Sequence, residues 1–209
     1  MKVHHLILLA IAIPVVTQAY AVPARPAGKT TDNLLEAYKG EMTAAAKYAA
    51  FSEQAHKDGY HQIGILFSAA SKSETIHAAN HKTVLEKMGK KVEPFTPVFT
   101  VKTTKENLEE AVSGETSEVN TMYPGYIATA KNENASSAVK SMRWAMETEK
   151  RHIIFLQNAL TTLNSNMTNE LPRFYWVCPK CGNTYDVPVP DDMCSFCGTA
   201  SSRFEKVVK

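Results

Sequence analysis

Acidic and imidazole side chains recur in this chain where helical periodicity would bury them. Helical patterning runs from about Asp32 to Leu163, and inside it stand Glu41, Glu74-Thr-Ile-His77, Glu115-Thr-Ser-Glu118 and Glu149-Lys-Arg-His152. An i, i+3 spacing sets both members of a pair on one helical face, able to reach a common point. A lone Glu or a single ExxH on a helix is ordinarily a solvent-facing pair. Four such features on four successive helices, among Ala, Met, Phe and Ile stripes, reverse that reading. One Glu, an ExxH, an ExxE and a second ExxH from four packed helices can surround two cations. Hard carboxylates with a few imidazoles suit iron or manganese.

The four cysteines all lie near the end of the chain, as Cys178-Pro-Lys-Cys181 and Cys194-Ser-Phe-Cys197. Each CxxC knuckle folds back so that two thiolates face one ion, and the short loop between them brings the pairs together. Gly182 and Gly198 follow the second cysteine of each knuckle and permit the tight turn. In an exported chain an even cysteine count ordinarily means disulfides; the paired spacing and the glycines favour four thiolates on one metal. Spacing alone leaves iron and zinc both open. So small a tail cannot be stabilised by its own core, and a metal staple is expected.

Lys and Arg (23) nearly balance Asp and Glu (21) and are dispersed along the helices, so no nucleic-acid partner is expected. Met1-Lys2, an apolar run from Leu6 to Val16 and then Ala19-Tyr20-Ala21 read as a secretory signal over residues 1–21, cleaved after Ala21 or less favourably after Ala24. The run is short for a membrane anchor, and Pro14 breaks it. Val22 to Lys29 reads as a flexible lead-in. Export predicts a periplasm-like location.

Helices are expected over about 32–57, 60–88, 104–132 with a bend at Pro124, and 135–163. Lys91 to Thr103 forms an extended crossover, and residues 30–164 make one domain. Asn164 to Arg173 reads as a flexible linker to a second domain over 174–209, with short strands at 174–177 and 184–187. His56, His61 and His81 match no ligand position and are read as surface residues or as neighbours of the site. Met142 and Met146 are read as core filler, and Trp176, Tyr185 and Phe204 as packing beside the tail metal.

Taken in order, Gly40-Glu41, Glu74/His77, Gly114-Glu115 with Glu118, Met122-Tyr123-Pro124, Glu149/His152 and the trailing CxxC pairs strongly resemble rubrerythrin, over most of the chain beyond the leader. The resemblance implies a mainly α fold, a ferritin-like four-helix bundle followed by a small rubredoxin-like, metal-stapled β domain. It implies a di-iron centre, a mononuclear iron on Cys178, Cys181, Cys194 and Cys197, and peroxidase activity that reduces hydrogen peroxide to water, with the tail iron returning electrons. Glu74 and Glu149 match bridging carboxylates, Glu115 and His152 the ligands of one iron, and Glu41 and Glu118 those of the other. His77 is the alternative to Glu118 when the site is reduced. Tyr48 and Tyr123 match tyrosines that hydrogen-bond ligand carboxylates. A homodimer is implied in which the partner's tail is the near one, fed by an exported or membrane-linked electron donor. Two rival readings remain: a ferroxidase, iron-handling or oxygen-reducing protein of the same fold, and a zinc ribbon tail serving docking or stability.

Overall fold

The structure, a computed structural model, describes residues 28–187 and 190–208. The expected signal segment and nearly all of the lead-in lie outside these residues. Among the described residues no helix is long and apolar enough to cross a membrane.

Helix α1 (Lys29–Lys57) turns at Asp58-Gly59 into α2 (His61–Lys87), with Gly59 at φ +85°, a left-handed conformation that a Cβ would oppose. The first helix starts three residues before the expected cap at Asp32. The backbone N–H groups of Lys29 and Thr30 donate to the Glu133 carboxylate, more than a hundred residues away, so the orphan donors of the first turn are met by a distant helix end. After the extended crossover, α3 (Thr104–Ser117) opens on a capping box between Thr103 and Glu106.

The expected third helix is interrupted. A five-residue π segment, Glu118–Met122, separates α3 from α4 (Tyr123–Asn132). Pro124 lacks an N–H and crowds the preceding turn, and the chain absorbs this by inserting a residue. The Tyr123 N–H accordingly reaches back to the Glu118 carbonyl. Helix α5 (Ser136–Asn164) closes the bundle.

Two apolar clusters fill the bundle. Phe51, Leu66, Phe67, Leu108 and Leu156 belong to one, and Leu34, Leu85, Tyr123 and Met142 to the other. Met142 is buried core filler, as expected, with Met146 packed against it. In α1, α2 and α5 the metal-type residues lie in sequence between the segments feeding the two clusters. The polar site is therefore a layer sandwiched between apolar ones.

Beyond α5 the chain is not a free linker. It makes a 3-10 turn at Thr168–Glu170, and Leu171 is buried with Tyr175 and Val177 against the first cluster. The tail is a three-stranded antiparallel sheet of order β2-β1-β3, with β1 Tyr175–Val177, β2 Thr184–Tyr185 and β3 Glu205–Val207. The third strand was not expected from the sequence: its pattern is largely exposed and charged, and pairing with β1 rather than an apolar face holds it. Lys72 of α2 forms an ion pair with Glu205, tying the sheet to the bundle.

Candidate metal centres

Helix α1 carries Glu41 inward, α2 carries Glu74 and His77, α3 carries Glu115, and α5 carries Glu149 and His152; all six are buried. Their ligand atoms form two groups, each with all atoms within 4.8 Å of one another. Glu41, Glu74, His77 and Glu149 make the first; Glu74, Glu115, Glu149 and His152 make the second. Glu74 and Glu149 belong to both, where a carboxylate shared by two cations must lie.

Glu118 differs from expectation: among the described residues it joins neither group, and His77 occupies the place beside Glu41 instead. Glu118 sits on the π segment and is half-buried. Its N–H still donates to the Gly114 carbonyl, so it keeps the helical face it shares with Glu115, and the π bond from Tyr123 falls after it. Burial, and then the nearby charges of Glu41, Glu115, Glu149 and Glu74, push its carboxyl well above the ordinary range.

The polar accounting tests whether a metal fits. Glu41 Oε2, Glu74 Oε1, Glu115 Oε2, both Glu149 oxygens and His152 Nδ1 are buried without a hydrogen-bond partner. Six unsatisfied groups in one layer are far beyond what a folded interior tolerates, and they all point at the two ligand groups. A pair of cations satisfies them together.

The charge balance says the same. Burial raises the Glu149 pKa, and the carboxylates of Glu74 and Glu115 raise it further against the opposing pull of His77 and His152. Burial lowers the His77 and His152 pKa values, but facing carboxylates, led by Glu149 for His77 and Glu74 for His152, overcome this and hold both well above an ordinary imidazole. Without metal, protons stand in for the cations. Both folded histidine pKa values are raised, so their stabilisation is fully present below the unfolded value near 6.5 and is lost as pH rises through the folded values. Metal-free protein should therefore melt at progressively lower temperature as pH rises above about 6.5, and divalent iron should remove that slope. Thermal melts across pH, with and without Fe2+, check this; equal slopes would count against the histidines facing a metal site.

The expected tyrosines are in place. Tyr48 Oη donates to Glu115 Oε1 at 2.7 Å, and Tyr123 Oη donates to Glu41 Oε1. His81, read from the sequence as a surface residue or a neighbour of the site, is fully buried and bonds Tyr123. Its i+4 spacing from His77 was the available signal. His56 and His61 lie apart from the site at the α1–α2 turn, their Nδ1 atoms 3.2 Å apart.

In the tail the four cysteine sulfurs lie within 4.8 Å of one another and form no disulfide. Cys178 Sγ to Cys197 Sγ and Cys181 Sγ to Cys194 Sγ are each 3.5 Å. A disulfide needs about 2.05 Å, whereas a tetrahedron of thiolates about 2.3 Å from a metal has edges of about 3.7 Å. The distances are those of a metal site. Tyr185 Oη donates to Cys194 Sγ at 3.3 Å and stacks on Phe204. Trp176 packs alongside, as does Trp144 of α5, which the sequence did not single out.

The two centres meet through one seam. His77 Nε2 lies 3.1 Å from the Cys181 carbonyl, His152 Nε2 lies 3.1 Å from Thr184 Oγ1, and Ser73 Oγ donates to the Gly182 carbonyl. An imidazole that donates through Nε2 presents Nδ1 as its free ligand atom. Within the single chain the tail sits on its own bundle, with Leu171 of the connection buried in the core.

The Rubrerythrin family model matches residues 32–160. The chain belongs to the rubrerythrin family. It is similar to rubrerythrin-2 of Clostridium acetobutylicum, 34% identical over 178 residues that span 84% of this chain and 95% of that one. It is similar to nigerythrin of Nitratidesulfovibrio vulgaris, 33% identical over 156 residues, 74% of this chain and 75% of the relative. A solved structure of nigerythrin in a mixed-valence state superposes with a TM-score of 0.77 at 26% identity, covering 95% of this chain and all of that one. The buried carboxylate–histidine layer and the four-cysteine cluster fit the di-iron centre and the Fe(Cys)4 centre of rubrerythrins.

Proposed function

We propose that this rubrerythrin is a peroxidase that reduces hydrogen peroxide to two waters, consuming two electrons and two protons, with the tail returning the electrons one at a time. The observation that carries the proposal is the His77–Cys181 contact. An oxidase that draws electrons from an iron substrate has no need of a thiolate centre whose backbone touches its own ligand; a peroxidase that must be re-reduced does.

In this reading Glu74 and Glu149 would be shared by the two irons, Glu115 and His152 would hold one, and Glu41 with His77 or Glu118 would hold the other. When bound, the pair of irons supplies Lewis acidity and two electrons for cleavage of the O–O bond. The protein supplies the rest. Tyr48 and Tyr123 fix the orientation of Glu115 and Glu41 through the bonds described above. When His77 takes the place beside Glu41, Glu118 is left near the carboxylate layer and off the metals, where it would serve as a proton donor to oxygen. His77, fixed by the Cys181 carbonyl, keeps Nδ1 toward Glu74 at 2.8 Å and Glu149 at 2.9 Å. All four tail positions being filled by thiolates, that centre passes electrons without binding substrate.

The reading includes a homodimer, an exported or membrane-linked electron donor, and a mature chain that begins at Val22 in a periplasm-like space. An intact mass from the native host reads the last point directly. The central test is anaerobic stopped-flow mixing of fully reduced protein with hydrogen peroxide and, separately, with oxygen, following the visible absorption of the ferric tail. Return of that absorption at least about tenfold faster with peroxide supports the peroxidase. Equal rates, or a colourless zinc-filled tail, would move the assignment to iron handling or oxygen reduction.

A further inference from the structure

We infer that His81 is a positioning residue for the Glu41 carboxylate, acting through Tyr123 and backed by Ser141. The inference rests on reading Glu41 as a metal ligand. His81 stands one helical turn beyond His77 on α2 and has no exposed surface. Its Nε2 lies 3.0 Å from Tyr123 Oη, and its Nδ1 lies 2.8 Å from Ser141 Oγ on α5. Tyr123 in turn meets Glu41 of α1. Glu41 Oε1 itself is 3.7 Å from His81 Nε2, beyond direct hydrogen-bonding distance.

Donor accounting gives this chain a direction. A phenol has one proton, and that of Tyr123 is committed to Glu41. The phenolic oxygen can then only accept from His81, so Nε2 carries the imidazole proton. With the proton on Nε2, Nδ1 is left to accept from the Ser141 hydroxyl. The sequence Ser141 to His81 to Tyr123 to Glu41 is a run of donations ending on one carboxylate oxygen, with the other oxygen left bare for a cation. Such runs polarise one another. With His81 in place, the Tyr123 hydroxyl has no alternative acceptor to rotate toward.

The opposite side of the site is built differently. Tyr48 donates to Glu115, but its ring lies against Phe51 and Phe67 instead of an imidazole. The backed carboxylate is the one beside His77, at 3.8 Å, where the neighbouring ligand is either an imidazole or Glu118. A metal whose other ligand can change needs one that does not move, and the hydrogen-bond chain across four helices makes Glu41 that ligand.

The test uses full-length chain stripped of metal and titrated with Co2+. Weak d–d bands report the bundle, and intense thiolate-to-cobalt absorption reports the tail as an internal control for folding. His81→Leu removes both bonds, while His81→Gln returns an N–H near the place of Nε2. Expected is a loss of about tenfold or more in one of the two bundle affinities for His81→Leu, most of it recovered in His81→Gln. The second bundle step and the tail should be unchanged. Equal losses in the two variants, or equal losses in both bundle steps, would reduce His81 to packing and overturn the inference. Glu41→Gln separates the underlying reading: if it leaves both bundle steps intact, Glu41 is not a ligand and the inference falls with it. Should His81→Leu fail to fold, Ser141→Ala reads the same chain. A weaker affinity at a single bundle step supports it, and unchanged affinity overturns it.

Discussion

Glu149→Met is expected to empty the bundle of both irons and to lower peroxide turnover by more than about a hundredfold, the upper end of what even supporting residues around a metal achieve. Glu149 is fully buried; among the described residues neither of its oxygens has a hydrogen-bond partner, and the ligand nitrogens of His77 and His152 stand 2.9 and 2.8 Å from them. It belongs to both ligand groups, so its loss strips one oxygen from each metal at once. The tail should keep its visible spectrum, which separates loss of the di-iron centre from unfolding. Iron analysis and a thermal melt on one sample decide the matter. Two irons retained with normal turnover would remove Glu149 from its bridging role.

Gly182→Ala should slow re-reduction of the bundle, and by more than the matched substitution at Gly198 does. Gly182 follows the first knuckle at φ +83°, where a Cβ costs about 1–2 kcal/mol. That added carbon would also run into His77 Nε2 and crowd the Ser73 carbonyl, so the tail must lift from the bundle at the contact joining the two centres. Gly198 supplies the control. It follows the second knuckle at φ +68°, but open space lies in front of it. Gly198→Ala therefore shares the backbone strain without the collision. The difference between the two variants isolates the seam from the stability of the knuckle. One oxidation of chemically reduced Gly182→Ala protein should proceed at the parental rate, while repeated turnover fails. Equal behaviour of the two alanine variants would mean that the seam does not carry the electrons.

The sequence by itself determined the helices, the layer of acids and imidazoles inside them, and the thiolate cluster. These features are local: a helix places residues three apart on one face whatever surrounds it, and a CxxC knuckle aims its sulfurs by its own turn. Glu41, Glu74, His77, Glu115, Glu149 and His152 were all legible in this way, whereas Tyr48 and Tyr123 came only from the resemblance to rubrerythrin. The place of Glu118 was not legible, because the spacing sets its face but does not say whether it or His77 stands nearest Glu41. Nor was His81, since periodicity sets a face but does not say whether a tyrosine from another helix will stand opposite it. Three further outcomes depended on residues far apart along the chain. The early start of α1 is held by Glu133, β3 exists only through its pairing with β1, and the tail rests on its own bundle because Leu171 finds a place in the core. Only the tertiary structure could decide these, because each is a pairing of groups whose separate local preferences are weak, and burial against a distant partner supplies the free energy that selects one arrangement.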